Sequence, residues 1–141
     1  MRDFEMAMKA ASDPTRTRIL KLLEPGGLCV CQIQSVLGLA PSTVSKHLAI
    51  LKHAGLVDHQ RDGKWIEYGL TPDSRNPHAT RVLALLKGEL DREAAVIADR
   101  KRLREIKAIP LDELCSLPAA KLPMPTRPVR QRIAPRGRSH V

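Results

Sequence analysis

The dipeptide Asp62-Gly63 is the feature that most restricts what this chain can become. It separates two segments of extended character, Leu56 to Arg61 and Lys64 to Leu70. A two-residue Asp-Gly connection suits a tight hairpin turn, in which both loop residues take positive φ. In that register Val57 faces Tyr68, His59 faces Ile66, and Arg61 faces Lys64 across a basic tip. Trp65 and Tyr68 read as hairpin packing.

Helices are expected around this hairpin. Asp3 to Ala11 is a short helix with Phe4 and Met8 on one face. Ser12-Asp13-Pro14 then offers a capping side chain followed by a proline in the first turn, which starts a second helix. That helix carries Ile19, Leu20, Leu22 and Leu23, and stops at Pro25-Gly26-Gly27. Cys29 to Leu37 is expected to be a third helix, closed by Gly38. Pro41 opens a fourth, Ser42 to Ala54, with Gly55 at its end. Beyond the hairpin, Val82, Leu86, Leu90, Ala94 and Ile97 form an apolar stripe at helical spacing. They predict one long helix from about His78 to Ile106, spanning roughly 40 Å at 1.5 Å per residue. One small domain cannot cover such a stripe, so this helix and the first are expected to form a dimer interface.

The fold class is therefore mainly α with a β-hairpin, a winged helix-turn-helix that dimerises through its terminal helices. Residues 1–106 form the DNA-binding and dimerisation domain. Residues 107–141 form a Pro/Arg-rich tail, expected to be largely disordered, with a possible docking turn at 111–117. From Lys121 to Val141 the chain holds Lys121, Arg127, Arg130, Arg132, Arg136 and Arg138 and no acidic residue, so most of the formal net charge of +9 originates in that stretch. Phe, Trp and Tyr occur once each, which argues against the aromatic platforms of single-strand binders. The first residues hold no apolar leader core, and no apolar run reaches membrane-spanning length. A cytoplasmic protein with no membrane partner is expected. Three cysteines argue against a disulfide framework.

Two short helices joined by a tight turn and followed by a hairpin place the second helix in the major groove of double-stranded DNA. Val44, Leu48 and Leu51 fall on one face and belong to the core. Ser42, Ser45 and Lys46 lie opposite, flanked by Thr43 and His47. Hydroxyls and an amine on short stems suit phosphates and base edges. The plain alternative is an ordinary surface helix, and the basic tip at Arg61 and Lys64 weighs against it. The site residues for DNA are thus Ser42, Thr43, Ser45, Lys46, His47, Arg61 and Lys64.

The segments ASDPTRTRILKLL, LCVCQI, STVSKHLAILKHAGLV and RDGKWIEYGL, in that order, resemble the ArsR/SmtB family of metal- and metalloid-responsive repressors. The resemblance covers roughly Met6 to Leu103. It implies a homodimeric winged helix that binds an inverted-repeat operator and lets go when an inducer binds. Cys29-Val30-Cys31 resembles the sensing site of the arsenic-responsive branch. Trivalent arsenic or antimony, As(III) or Sb(III), is a soft, thiophilic inducer, and no constitutive cofactor is implied. A helix N-terminus would give these cysteines thiolate character. Many relatives carry a third cysteine just after the pair. Gln32, Ile33 and Gln34 stand here instead, and Cys115 is the other thiol that could complete the set.

On an intact helix Cys29 and Cys31 would point about 200° apart, so inducer binding is expected to unwind the helix start. The bland reading of these cysteines is small buried apolar residues. The same thiols could instead sense an oxidant or a soft divalent metal. The family's other sensor, on the last helix, requires paired histidines; His78 has no second histidine after it in that helix. An enzyme such as a thiol reductase is disfavoured, because neither Cys-x-x-Cys nor a Gly-rich phosphate loop occurs. A protein-interaction module would show no sequence preference for DNA.

Overall fold

Helix α1 (Arg2–Ser12) and helix α2 (Pro14–Leu23) meet at a single extended residue, Asp13, with φ −76° and ψ 132°. Its carboxylate accepts the Arg16 N–H at 3.0 Å, so one side chain both turns the chain and caps α2. The computed structural model describes residues 1–116; Leu117 and the basic tail fall outside the described residues.

After α2 comes β1 (Leu28–Cys29), then α3 (Val30–Leu37), α4 (Pro41–His53), β2 (Val57–Asp62) and β3 (Trp65–Leu70). The three strands form one antiparallel sheet in the order β1-β3-β2. Strand β1 takes Cys29 out of the expected third helix: Leu28 pairs with Tyr68 and Cys29 with Glu67. Buried Leu20, Leu23, Ile33, Leu37, Val44, Leu48, Leu51 and Leu56 join the helices and the sheet into one core.

The hairpin forms, but in a different register from the one expected. Val57 pairs with Leu70, His59 with Tyr68, Arg61 with Ile66 and Asp62 with Trp65. The two-residue loop is Gly63-Lys64, and Gly63 alone takes positive φ, at +60°. A glycine-first turn spares Asp62 a left-handed conformation. A slip of two residues keeps every side chain on its face, since side chains alternate with period two. The consequence is at the tip, where Lys64 stands without Arg61 opposite.

The long helix is also corrected. It splits into α5 (Pro77–Leu86) and α6 (Ala94–Lys107), and a short last helix, α7 (Leu111–Ser116), follows. Lys87 is extended, and Gly88 and Leu90 take φ +83° and +64°, which no helix tolerates. The stripe breaks there, leaving Ile97 53% exposed, while Val96, Asp99, Leu103 and Ile106 turn inward. Charge fixes the reversal. Buried Lys21 donates to the Leu86 carbonyl at 2.8 Å, which satisfies the end of α5, and pairs with Asp91 at 3.0 Å and with Glu24. Arg100 reaches Asp91 at 2.9 Å, and Arg18 grips both oxygens of Asp99 at 2.7 and 2.8 Å. Lys21, and after it Arg100, hold the Asp91 carboxyl below its ordinary range. Helix α6 therefore lies back over α2 and α3 of its own chain.

Candidate DNA interface and thiol site

Gly38 ends α3, its N–H donating to the Gln34 carbonyl at 2.8 Å, and three residues later Pro41 opens α4. Val44, Leu48 and Leu51 are buried under α4, while Ser42, Ser45 and Lys46 are exposed on its outer side. Thr43 and His47 are half-buried at the edges. The His47 Nδ1 faces the Arg16 guanidinium at 3.4 Å, so His47 is held by α2. Ala40, at the cap position, makes no side-chain bond to the start of α4. That leaves helix-start donors available to an outside acceptor such as a phosphate. Arg61 and Lys64 are exposed on the hairpin, and the Lys64 ammonium lies 5.0 Å from the Trp65 ring centroid. The two groups expected to meet DNA, one on α4 and one on the wing, thus belong to separate elements that share one core.

The cysteines divide differently from the expectation. Cys29 is not on the helix. It is the last residue of β1 and the N-cap of α3, with φ −77° and ψ 157°. Its N–H donates to the Gln32 side-chain oxygen at 3.0 Å, one half of a capping box. The two thiols are therefore not set about 200° apart on one helix, because only Cys31 is helical. The expected thiolate character of Cys29 is also reversed. Burial pushes its thiol up, and the nearby Glu67 and Asp62 carboxylates push it further. Against the expectation that the three cysteines stay unbridged, Cys31, in the first turn of α3, is paired with Cys115 of α7 as a disulfide, with Cα atoms 5.6 Å apart across 84 residues of sequence. Among the described residues no three side chains of His, Cys, Asp or Glu converge as a metal site. The structure brings two thiol positions together and leaves Cys29 as a separate, buried, free cysteine.

Two contacts had no signal in the sequence. Asp112 of α7 pairs with Lys64 at the wing tip, and Glu67 sits beside Cys29. Both join residues far apart along the chain, which neither periodicity nor spacing reveals.

Residues 13–59 match the bacterial regulatory protein arsR family. The arsenic resistance transcriptional regulator ArsR1 of Pseudomonas putida is 35% identical over 103 residues, covering 72% of this chain and 77% of that one. The chain belongs to the arsR family. An uncharacterised HTH-type transcriptional regulator of Methanocaldococcus jannaschii is 48% identical over 66 residues, 46% of this chain and 74% of its own. Among solved structures, HlyU of Vibrio cholerae superposes with a TM-score of 0.53 at 28% identity, over 62% of this chain and 90% of that chain. The homodimeric winged helix-turn-helix DNA-binding domain Mb0332 of Mycobacterium bovis gives 0.54 at 29% identity, over 64% and 80%. This arsR-family chain is accordingly a DNA-binding transcriptional repressor of winged-helix build. The family match includes Cys29, Cys31 and α4 but stops well before Cys115. Among the described residues, no helix is long and apolar enough to cross a membrane.

Proposed function

We propose that this arsR-family protein is a metalloid-responsive repressor. It binds an inverted-repeat operator as a homodimer and is released when trivalent arsenic or antimony engages its cysteine thiols. The observation that carries the reading is the meeting of Cys31 and Cys115, held together by the docking of α7 on α3. Two relatives bear names that fit it: the P. putida regulator, and an arsenical resistance operon repressor of Bacillus subtilis that is 32% identical over 95 residues.

In this reading the reduced form of the pair is the receptor: each thiol displaces one hydroxyl of arsenous acid as water. Two As–S bonds replace two As–O bonds, two waters leave, and no electron is transferred. Soft sulfur suits the ion. A third position on arsenic is filled by solvent hydroxide or by Cys29, which must leave its cap on α3 to reach it. Because α3 leads through Gly38 into α4, strain placed on the start of α3 tilts the reading helix. Linkage requires DNA to weaken metalloid binding by the same factor.

Dimerisation is supported by Phe4, Met8 and Leu85, exposed apolar residues on α1 and α5, which pack against each other. With α6 folded back on its own chain, α1 and α5 are the parts of the expected interface that remain outward. Arsenite should release wild-type protein from a duplex holding the inverted repeat and fail with Cys31→Ser and with Cys115→Ser. Full release in both variants would overturn the reading.

The pairing also favours a second reading, in which a peroxide closes the Cys31–Cys115 disulfide. The two thiols give up two protons and two electrons, and the peroxide becomes water and an alcohol or a second water. Intact mass separates the two: arsenic adds mass, whereas a disulfide removes two hydrogens.

A further inference from the structure

We infer that α7 is a latch on the wing: bridging of Cys31 to Cys115 holds Asp112 against Lys64, so that α7 and a DNA phosphate compete for the same ammonium group. The inference rests on the preceding proposal in taking the cysteine pair to open and close and the wing-tip Lys64 of each protomer to meet a DNA phosphate. Its geometry stands on three contacts. Cys115 meets Cys31 on α3, Leu114 one residue earlier is buried in the common core, and Asp112, one turn back along α7, pairs with Lys64 of the hairpin.

One six-residue helix thus touches both the thiol site and the DNA-facing tip. Lys64 is the residue that the corrected register leaves alone at that tip, and the carboxylate it meets has the charge and donor preference of a phosphate oxygen.

The ion pair is exposed, with the Lys64 and Asp112 side chains 67% and 74% accessible, and an exposed pair alone is weak. The bridge changes that by raising the local concentration of Asp112 at the wing. A tethered partner outcompetes a free one without any new contact. With the pair open, α7 keeps only Leu114 and its neighbours, and a phosphate can displace Asp112. With the pair closed, each protomer loses one phosphate contact. Each such contact contributes about 0.9 to the slope of log affinity against log salt, which is roughly five- to tenfold in affinity at 0.1 M salt relative to 1 M. The weakening applies to any duplex, since a wing-tip phosphate carries no sequence.

The test uses the full chain in a Cys29→Ser background, so that a single pair can form; serine keeps the cap on α3. Diamide closes the pair, its azo group taking two protons and two electrons from the thiols. Arsenite closes it in a parallel arm, and intact mass counts closure in both. Binding to a mixed-sequence duplex is measured by fluorescence anisotropy over a range of salt. Closure should lower the salt slope by about one per protomer. Asp112→Asn should abolish that change, and Asp112→Glu should retain it. Equal responses in Asp112→Asn and the parent, or an unchanged slope on closure, would overturn the latch. If arsenite fails to close the pair while diamide succeeds, the metalloid reading falls and the oxidised protein still decides the latch.

Discussion

Replacing Asn76 by alanine removes a side chain that ties three helices together. Asn76 is only 7% exposed. Its Oδ1 accepts the His78 N–H at 3.1 Å and so caps α5. Its Nδ2 donates to the Ala54 carbonyl at the end of α4 and to the Asp3 carbonyl in α1, each at 3.0 Å. Loss of an N-cap costs about 1 kcal/mol. The Ala54 carbonyl bond is buried, and orphaning it costs about 1–2 kcal/mol more. The Asp3 bond is partly open to water and adds about 0.5 kcal/mol. The sum is about 3 kcal/mol, a large share of what a domain of this size possesses. Urea unfolding at one fixed protein concentration should show a lower midpoint with an unchanged slope. Asn76→Asp is the sharper variant. It keeps the cap but turns a carboxylate toward two carbonyl oxygens, so it should be at least as destabilised as the alanine. A loss under about 1 kcal/mol in Asn76→Ala, or an aspartate variant as stable as wild type, would refute the assignment of Asn76 as the joint between α1, α4 and α5.

Two further outcomes follow from the same geometry. Leu85, 65% exposed on α5, should become intolerable as glutamate in a dimer seam, so Leu85→Glu should sediment as a single 15.6 kDa chain at micromolar concentration; a variant that sediments like wild type would place the interface elsewhere. Cys29 should alkylate more slowly than an ordinary thiol at neutral pH, because burial first and then Glu67 and Asp62 raise its pKa. A raised folded-state value means that the neutral thiol's contribution to stability is present below the ordinary thiol range and is lost as pH climbs through the folded value. Glu67→Gln should therefore speed alkylation by iodoacetamide, and an equal or slower rate would show that Glu67 exerts no such effect.

What the sequence revealed of this fold is local. Asp13, Gly38, Pro41 and Gly63 each act within a turn or a cap, and the corners they make are where the chain turns. The face of α4 was equally plain, because Val44, Leu48 and Leu51 repeat at helical spacing. The register of the hairpin is not legible locally, because Asp62-Gly63 and Gly63-Lys64 both satisfy a tight turn, and the choice between registers two residues apart depends on pairing along the whole ladder. The break between α5 and α6 was hidden by a stripe that continues through Gly88. What overrides the stripe is Lys21, which lies 65 residues before the carbonyl it binds. The thiol site divides in the same way. Cys29 and Cys31 stand out as a motif, but the strand conformation of Cys29 comes from pairing with β3, and the partner of Cys31 arrives only through α7.

In the proposed mechanism Cys31 and Cys115 together receive the inducer. The most direct measurement is the sulfur coordination of arsenic by X-ray absorption on arsenite-loaded wild-type protein and on single Cys31→Ser, Cys115→Ser and Cys29→Ser variants, each with operator release recorded in parallel. One sulfur should be lost from the arsenic shell in both the Cys31 and Cys115 variants, with release abolished, while the Cys29 variant still releases DNA. An unchanged sulfur count and full release in the Cys115 variant would contradict it.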